Sequence, residues 1–208
     1  LVLELGVHSV DLVRALIHAE QAFLAQDGMY ILSRLGTPEA KAALREAEYH
    51  PAAHIRIGLL ENAKLLGERE GVELAARLLD DAEPRARVAA ARTLARFPGR
   101  AVASVLEQRV HAPGFEDEPS EVKLALLAGY AVVCQGKALA TLARFVKRGE
   151  GLFTGKRAED TAAQAVRALR GIRGSPRALE LLKRAATTRN RRVRDAAREV
   201  LKQMKEGR

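Results

Sequence analysis

The sequence predicts an all-α fold, a right-handed α-α superhelix (solenoid) of about five stacked helix pairs, and three observations predict it. Glycines recur at 36, 67, 99, 136 and 174, at spacings of 31, 32, 37 and 38. Between successive glycines lie two amphipathic stretches whose apolar residues keep helical spacing. No stretch sustains the alternating pattern, rich in β-branched residues, that a half-buried strand requires. A period in this range marks stacked supersecondary units, each too small to bury its own apolar face and each touching only its neighbours.

The elements follow in order from that period. The turns align as Arg34-Leu35-Gly36-Thr37-Pro38-Glu39-Ala40, Leu65-Leu66-Gly67-Glu68-Arg69-Glu70, Arg96-Phe97-Pro98-Gly99-Arg100-Ala101, Val133-Cys134-Gln135-Gly136-Lys137-Ala138 and Ile172-Arg173-Gly174-Ser175-Pro176-Arg177-Ala178. Each glycine is expected in the left-handed conformation that closes a helix, and Pro38 and Pro176 suit the first turn of the next one. The first helix of a unit is short, as at residues 72–79. The second is longer, as at 87–95, where Val88, Ala91, Leu94 and Ala95 share a face. Second helices are expected near 20–35, 51–66, 84–97, 119–135, 157–173 and 190–205, lining the concave side.

Composition narrows the class. The 208 residues include no Trp and only three Tyr, and Ala, Leu, Arg and Glu dominate. Ala favours helix and lets helix axes approach closely. No apolar run reaches the roughly 18 to 20 uncharged residues of a membrane span. One cysteine, Cys134, rules out an internal disulfide and fits a cytoplasmic protein. The first residue is Leu1, and residues 1–7 carry Glu4 and no basic leader, so the chain reads as one repeat domain, 1–208, cut from a longer protein. The formal charge of +9 is uneven: residues 167–208 hold 14 Lys or Arg against 4 Asp or Glu, and residues 1–166 hold 21 against 22.

This pattern resembles the HEAT-repeat family, in particular its short bacterial, phycobilisome-lyase-type form. The family's mark is an Asp in the intra-unit turn and a Val-Arg pair opening the second helix. Here Asp81 precedes Arg87-Val88 in reversed order, Glu121-Val122-Lys123 keeps the order with Lys, and Asn190-Arg191-Arg192-Val193-Arg194 carries it well. His54-Ile55-Arg56 is looser, and after Asp160 the pair Val166-Arg167 is displaced along the helix. The resemblance covers about residues 20 to 205. It implies an α-solenoid in which Arg87, Lys123 and Arg194 occupy the slot where such units cross-link through Asp–Arg contacts.

Two units are longer by about six residues in one slot, between first and second helix. The inserts are His111-Ala112-Pro113-Gly114-Phe115-Glu116-Asp117-Glu118-Pro119, which is acidic, and Gly149-Glu150-Gly151-Leu152-Phe153-Thr154-Gly155-Lys156-Arg157, which is basic. Phe115 and Phe153 either dock a partner along one edge or tuck back over the open end of a helix pair. Covering is favoured, since lone exposed Phe is uncommon.

Motifs for chemistry fail on inspection. The segment Gly149 to Lys156 has the wrong spacing for a phosphate loop, has Arg157 where Ser or Thr is required, and follows no strand. His50 and His54 lack a third ligand at matched spacing, and His50 is expected to cap the helix that begins near Pro51. HEAT-like di-iron hydroxylases carry repeated His-Glu dipeptides, and this chain has none. Cys134 sits on an apolar stretch as a small core residue. Paired acids such as Asp80-Asp81 suit helix ends.

The basic tail remains: Arg167, Arg170, Arg173, Arg177, Lys183, Arg184, Arg189, Arg191, Arg192, Arg194, Arg198, Lys202 and Lys205. On the last helix, 191, 194, 198, 202 and 205 are expected to share a face, and Arg85, Arg92 and Arg96 form a second stripe. The expectation is a non-enzymatic protein-protein interaction scaffold, with no cofactor, metal, small-molecule substrate or membrane. Its partner would lie on the concave face or along the 111–118/149–157 edge. The alternative is a solenoid that grips nucleic acid with its basic C-terminal helices. The candidate contact residues are Arg85, Arg92, Arg96, Phe115, Phe153, Arg167, Arg170, Arg191, Arg194, Arg198 and Lys202.

Overall fold

In the computed structural model, residues 8–17, 22–97, 99–151 and 154–206 are described. Among them the helices follow one another as six pairs. The pairs are α1 (His8–Ile17) with α2 (Ala22–Leu35), and α3 (Pro38–Glu46) with α4 (Ala53–Glu61) and its short continuation α5 (Ala63–Leu66). Then come α6 (Glu68–Arg77) with α7 (Pro84–Leu94), α8 (Arg100–His111) with α9 (Ser120–Cys134), α10 (Ala138–Gly149) with α11 (Lys156–Ala168), and α12 (Pro176–Ala185) with α13 (Arg191–Glu206). Five glycine-bearing turns separate six pairs, one more than the period suggests when the turns themselves are counted. No strand is present among the described residues.

The chain forms two compact units, residues 1–97 and 98–208. In the first unit the second helices pack in a row, α2 on α4 and α4 on α7; in the second, α9 packs on α11 and α11 on α13. The first unit's core is built from Ile17, Met29, Leu32, Leu44, Ile55, Leu59, Leu60 and Leu94, and the second's from Leu106, Leu127, Leu142, Val146, Val166 and Leu169. Small residues set the spacing. A Cβ placed on Gly149 would collide with the Cβ of Ala162, so α10 and α11 touch backbone to backbone there. Ser120–Gly149 is long and apolar enough by composition to suggest a membrane span. The turn at Gln135–Lys137 divides it into α9 and α10, and both helices contribute buried core residues.

Four of the five turn glycines take a positive φ, though at Gly67 and Gly99 a ψ of 158° and 166° makes this extended mirror-image backbone and not the helix-closing conformation expected. Gly36, Gly67, Gly99 and Gly174 have φ of 64°, 105°, 146° and 62°, and Thr37 and Ser175 cap the N-termini of α3 and α12 ahead of Pro38 and Pro176. The fourth turn differs. Gln135, not Gly136, takes the positive φ, at 47°. Its amide explains how a non-glycine residue holds that conformation: Nε2 donates to the carbonyls of Val132 (2.6 Å) and Gly171 (3.3 Å), and Oε1 accepts from the Arg173 N–H (3.2 Å). These bonds offset a backbone strain of about 1–3 kcal/mol and fasten this turn to the next.

Candidate functional site

One cation recurs at the fourth position of four second helices: Arg56 in α4, Arg87 in α7, Lys123 in α9 and Arg194 in α13. Each side chain folds back to cap the preceding turn. Arg56 donates to the carbonyls of His50 (2.6 Å) and Pro51 (3.0 Å), Arg87 to Asp81 (2.7 Å) and Ala82 (3.2 Å), Lys123 to Glu116 (3.2 Å), and Arg194 to Thr188 (3.2 Å) and Arg189 (3.3 Å). Arg56 and Lys123 also reach the next pair. The Arg56 guanidinium meets both oxygens of Asp81 at 2.6 and 2.7 Å, and Lys123 Nζ lies 2.6 Å from Asp160 Oδ2. The hydrogen bond from Arg56 holds the Asp81 carboxyl below its ordinary value. At Asp160 burial pulls upward, but bonds from Lys123, Ser120 and Gln164 together with the Lys123 charge outweigh it and hold that carboxyl low too. His50 Nδ1 accepts from the Ala52 N–H at 3.1 Å and so closes the turn ahead of α4; the expected cap on the helix itself is not made, since the N-cap residue is Ala52 and no side chain bonds there. In α11 the same slot holds Glu159, so the ladder lacks its cation there.

The two inserts meet each other. Phe115 is 4% exposed and its ring centroid lies 5.6 Å from that of Phe145, so it covers the open end of the helix pair. As a partner contact it is therefore corrected: its face is occupied by the unit's own core. Phe153 lies outside the described residues. The acids of the first insert pair with cations around the second, Glu116 with Arg148 at 2.7 Å and Asp117 with Arg157. An edge offering one acidic and one basic loop is thus largely neutralised within the unit.

The cations nearest α11 are also engaged. Arg167 binds Glu199 of α13 through Nε and Nη2 (3.3 and 3.2 Å) and Gln164 through Nη1, and Arg170 donates to Gln203 of α13 at 3.0 Å. Arg167 ties α11 to α13, and Arg170 ties the turn that follows α11 to the same helix. Arg194 is a ladder residue, with its side chain 28% exposed, and so lies off the open face expected for it. These three are corrected from free contact residues to ties within the unit.

What remains is a sorted surface on α13. Projected at 100° per residue, Lys205, Arg198, Arg191 and Lys202 fall within an arc of about 60°. Asp195, Glu206 and Glu199 occupy the adjoining arc, while Val193, Ala196, Ala197 and Val200 lie opposite and are buried. Glu199 and Gln203 reach α11, so the carboxylate arc faces that helix and the cationic stripe lies on the flank turned away from it. Arg191 is 88% exposed and pairs with Asp195 at 3.5 Å, and Lys202 is 3.8 Å from Glu206; such exposed pairs bind weakly. Arg198 and Lys205 are exposed with no ion pair among the described residues. On α12, Arg184 turns to Glu150 at 3.6 Å, and Lys183 is exposed. This division of α13 into a tied flank and a free flank has no signal in the sequence, because it depends on which side α11 occupies. In the first unit, Arg85 and Arg92 are exposed along α7, and Arg96 donates to the Glu61 carbonyl at 3.3 Å.

Burial, then the nearby Glu107 carboxylate, pushes the half-buried Cys134 thiol up from its ordinary value, which favours the unreactive protonated form. Among the described residues no three His, Cys, Asp or Glu side chains are grouped closely enough to hold a metal ion.

Fold and surface define an all-α protein of stacked helix pairs with a cationic terminal pair. No family model and no curated protein matches the chain. Among solved structures it is similar to an engineered protein at 16% identity and a TM-score of 0.46, covering 95% of this chain and 98% of that one. It is similar to a second engineered protein at 19% identity and a TM-score of 0.44, covering 95% and 97%. It is also similar to human deoxyhypusine hydroxylase, in a complex with glycerol, at 15% identity and a TM-score of 0.45, covering 97% and 75%. At these levels no activity passes to this chain. The comparison does correct the expectation of a non-enzymatic protein-protein interaction scaffold: a named enzyme stands among the similar folds, so stacked helix pairs do not by themselves mark a scaffold.

Proposed function

We propose that this chain is a HEAT-like repeat protein of the short, phycobilisome-lyase type that binds nucleic acid through the phosphate backbone, using the cationic flank of its last helix pair. The ladder cations Arg56, Arg87, Lys123 and Arg194 at one helical position support the family reading. The functional reading rests on one observation, the gathering of Arg191, Arg198, Lys202 and Lys205 on one exposed arc of α13, where the pairs with Asp195 and Glu206 are exposed and weak.

Two of the four form pairs one turn apart, Arg191 with Asp195 and Lys202 with Glu206, and exposed pairs of this kind bind weakly. With Arg198 and Lys205 beside them, the arc keeps a net positive potential that attracts a polyanion. From Arg191 to Lys205 the strip runs about 21 Å, which exceeds the spacing of about 3.4 Å per phosphate along one strand and lets all four cations reach a backbone together. Four phosphate contacts give a slope of about −3.6 for log affinity against log salt on duplex DNA.

The test is fluorescence anisotropy of a labelled duplex of about 20 base pairs, titrated across a salt series, against the wild-type chain and the quadruple variant Arg191→Gln, Arg198→Gln, Lys202→Gln and Lys205→Gln. Wild type should bind with the steep slope, and the variant should lose most of its affinity and nearly all of its salt dependence while keeping its helical circular dichroism. Absence of wild-type binding at the lowest salt, or equal binding by the variant, would overturn the proposal.

A further inference from the structure

We infer that this surface responds to the charge density of a double helix and not to bases, so that it prefers duplex to single-stranded nucleic acid of equal length, whatever the sequence. The inference rests on the nucleic-acid reading above.

Three features of the second unit lead there. Single-strand binders combine a basic track with exposed aromatic rings on which bases stack. In the second unit the described aromatics are all buried: Tyr130 is 2% exposed, Phe115 4% and Phe145 5%. The exposed rings, Phe23, Tyr30 and Tyr49, belong to the first unit. Base edges are read by free amides and by Arg forks inserted in a groove. The amides beside the stripe are already bonded, Asn190 Oδ1 to the Val193 N–H at 3.1 Å and Gln203 Oε1 to Arg170 at 3.0 Å.

The third feature is the carboxylate arc. Asp195, Glu199 and Glu206 border the stripe along its whole length, on one side only. If α13 entered a groove, phosphates would flank it on both sides and one strand would meet these carboxylates. Docking against a single backbone edge avoids that repulsion. The stripe then senses phosphate density alone, which in a duplex is one charge per about 1.7 Å of axis. An anionic membrane would present a comparable field. However, interfacial helices bury a free apolar face, and the apolar face of α13 (Val193, Ala196, Ala197, Val200) is already buried in the stack.

The preference has a calculable size. Slopes of about −0.9 per contact on duplex and −0.7 on single strands, over four contacts and from a common affinity at about 1 M salt, give roughly sixfold tighter duplex binding at about 0.1 M salt. The experiment is competition against the labelled duplex by four competitors: unlabelled A·T-only duplex, G·C-rich duplex, the separated single strands, and phosphatidylserine vesicles at equal charge. The two duplexes should compete within about twofold of each other and about sixfold better than the strands, with vesicles weaker still. Phe23→Ala and Tyr30→Ala should leave both duplex and strand binding unchanged.

Single strands competing as well as duplex would overturn the inference while leaving the nucleic-acid reading intact, as would a loss of strand binding in the aromatic variants. A preference of tenfold or more between the duplexes would overturn it too, because it would show bases being read. If vesicles outcompete every nucleic acid, or if no nucleic acid binds, the nucleic-acid reading itself falls.

Discussion

Replacing Lys123 by Met should destabilise the second unit by about 2–4 kcal/mol, and the loss should shrink in acid. Lys123 is 3% exposed, and its ammonium sits 2.6 Å from Asp160, itself 13% exposed. Removing one partner of such a pair leaves a buried charge uncompensated, which costs about 3–5 kcal/mol where nothing replaces the partner. Here Asp160 keeps the Ser120 hydroxyl at 2.7 Å, the Gln164 amide at 3.1 Å and the more distant Arg192 at 3.8 Å, so the lower part of the range applies. The pH dependence follows from linkage. Asp160 is held below its ordinary value in the folded chain, so on acidification the unfolded chain takes up the proton first. The stabilisation is therefore complete above the unfolded carboxylate value of about 4 and fades as pH falls through the lower folded value. In the variant the Ser120 and Gln164 bonds are left to oppose the upward pull of burial on Asp160 without Lys123. Urea unfolding followed by circular dichroism at about pH 7 and about pH 3 measures both effects. A loss under about 0.5 kcal/mol, or an equal loss at both pH values, would refute the reasoning. The double variant Lys123→Met with Asp160→Asn should recover part of the stability, because it removes the stranded charge.

Gln135→Ala keeps the strained turn and discards its hydrogen bonds, and should lower stability by about 1–3 kcal/mol; Gln135→Gly, which relieves the strain, should cost less, and thermal melts of the two variants give the order. Phe115→Ala should cost about 3 kcal/mol by emptying the space against Phe145, without changing nucleic-acid affinity in the anisotropy assay.

The second helices expected near 51–66, 84–97, 119–135 and 190–205 appear at residues 53–66, 84–94, 120–134 and 191–206. Their legibility has a local cause, since glycine at a left-handed position and proline in a first turn are dictated by backbone sterics within a few residues. The exception is equally instructive. Gly136 looked like the fourth turn's left-handed residue, and Gln135 takes that conformation because its amide finds Val132, Gly171 and Arg173, partners as many as 38 residues away. Arg56 shows the same limit. Its sequence match to the repeat is loose, yet it makes a two-pronged contact with Asp81, because position within the helix, not the neighbouring letters, aims it at the next turn.

The candidate site was legible only in part. Composition located the cations in the last fifth of the chain, and helical spacing put Arg191, Arg198, Lys202 and Lys205 on one face. Spacing could not tell that Arg167, Arg170 and Arg194 are tied to neighbours, that Phe115 is core, or that the acidic and basic inserts pair with each other. By itself the sequence determined the repeat, the positions of its turns and the charge of its C-terminal end, since these follow from steric preference and periodicity along one helix. Only the tertiary structure decided which charges are free, because a guanidinium is available or engaged according to which carboxylate or carbonyl the adjacent helix brings within hydrogen-bonding distance.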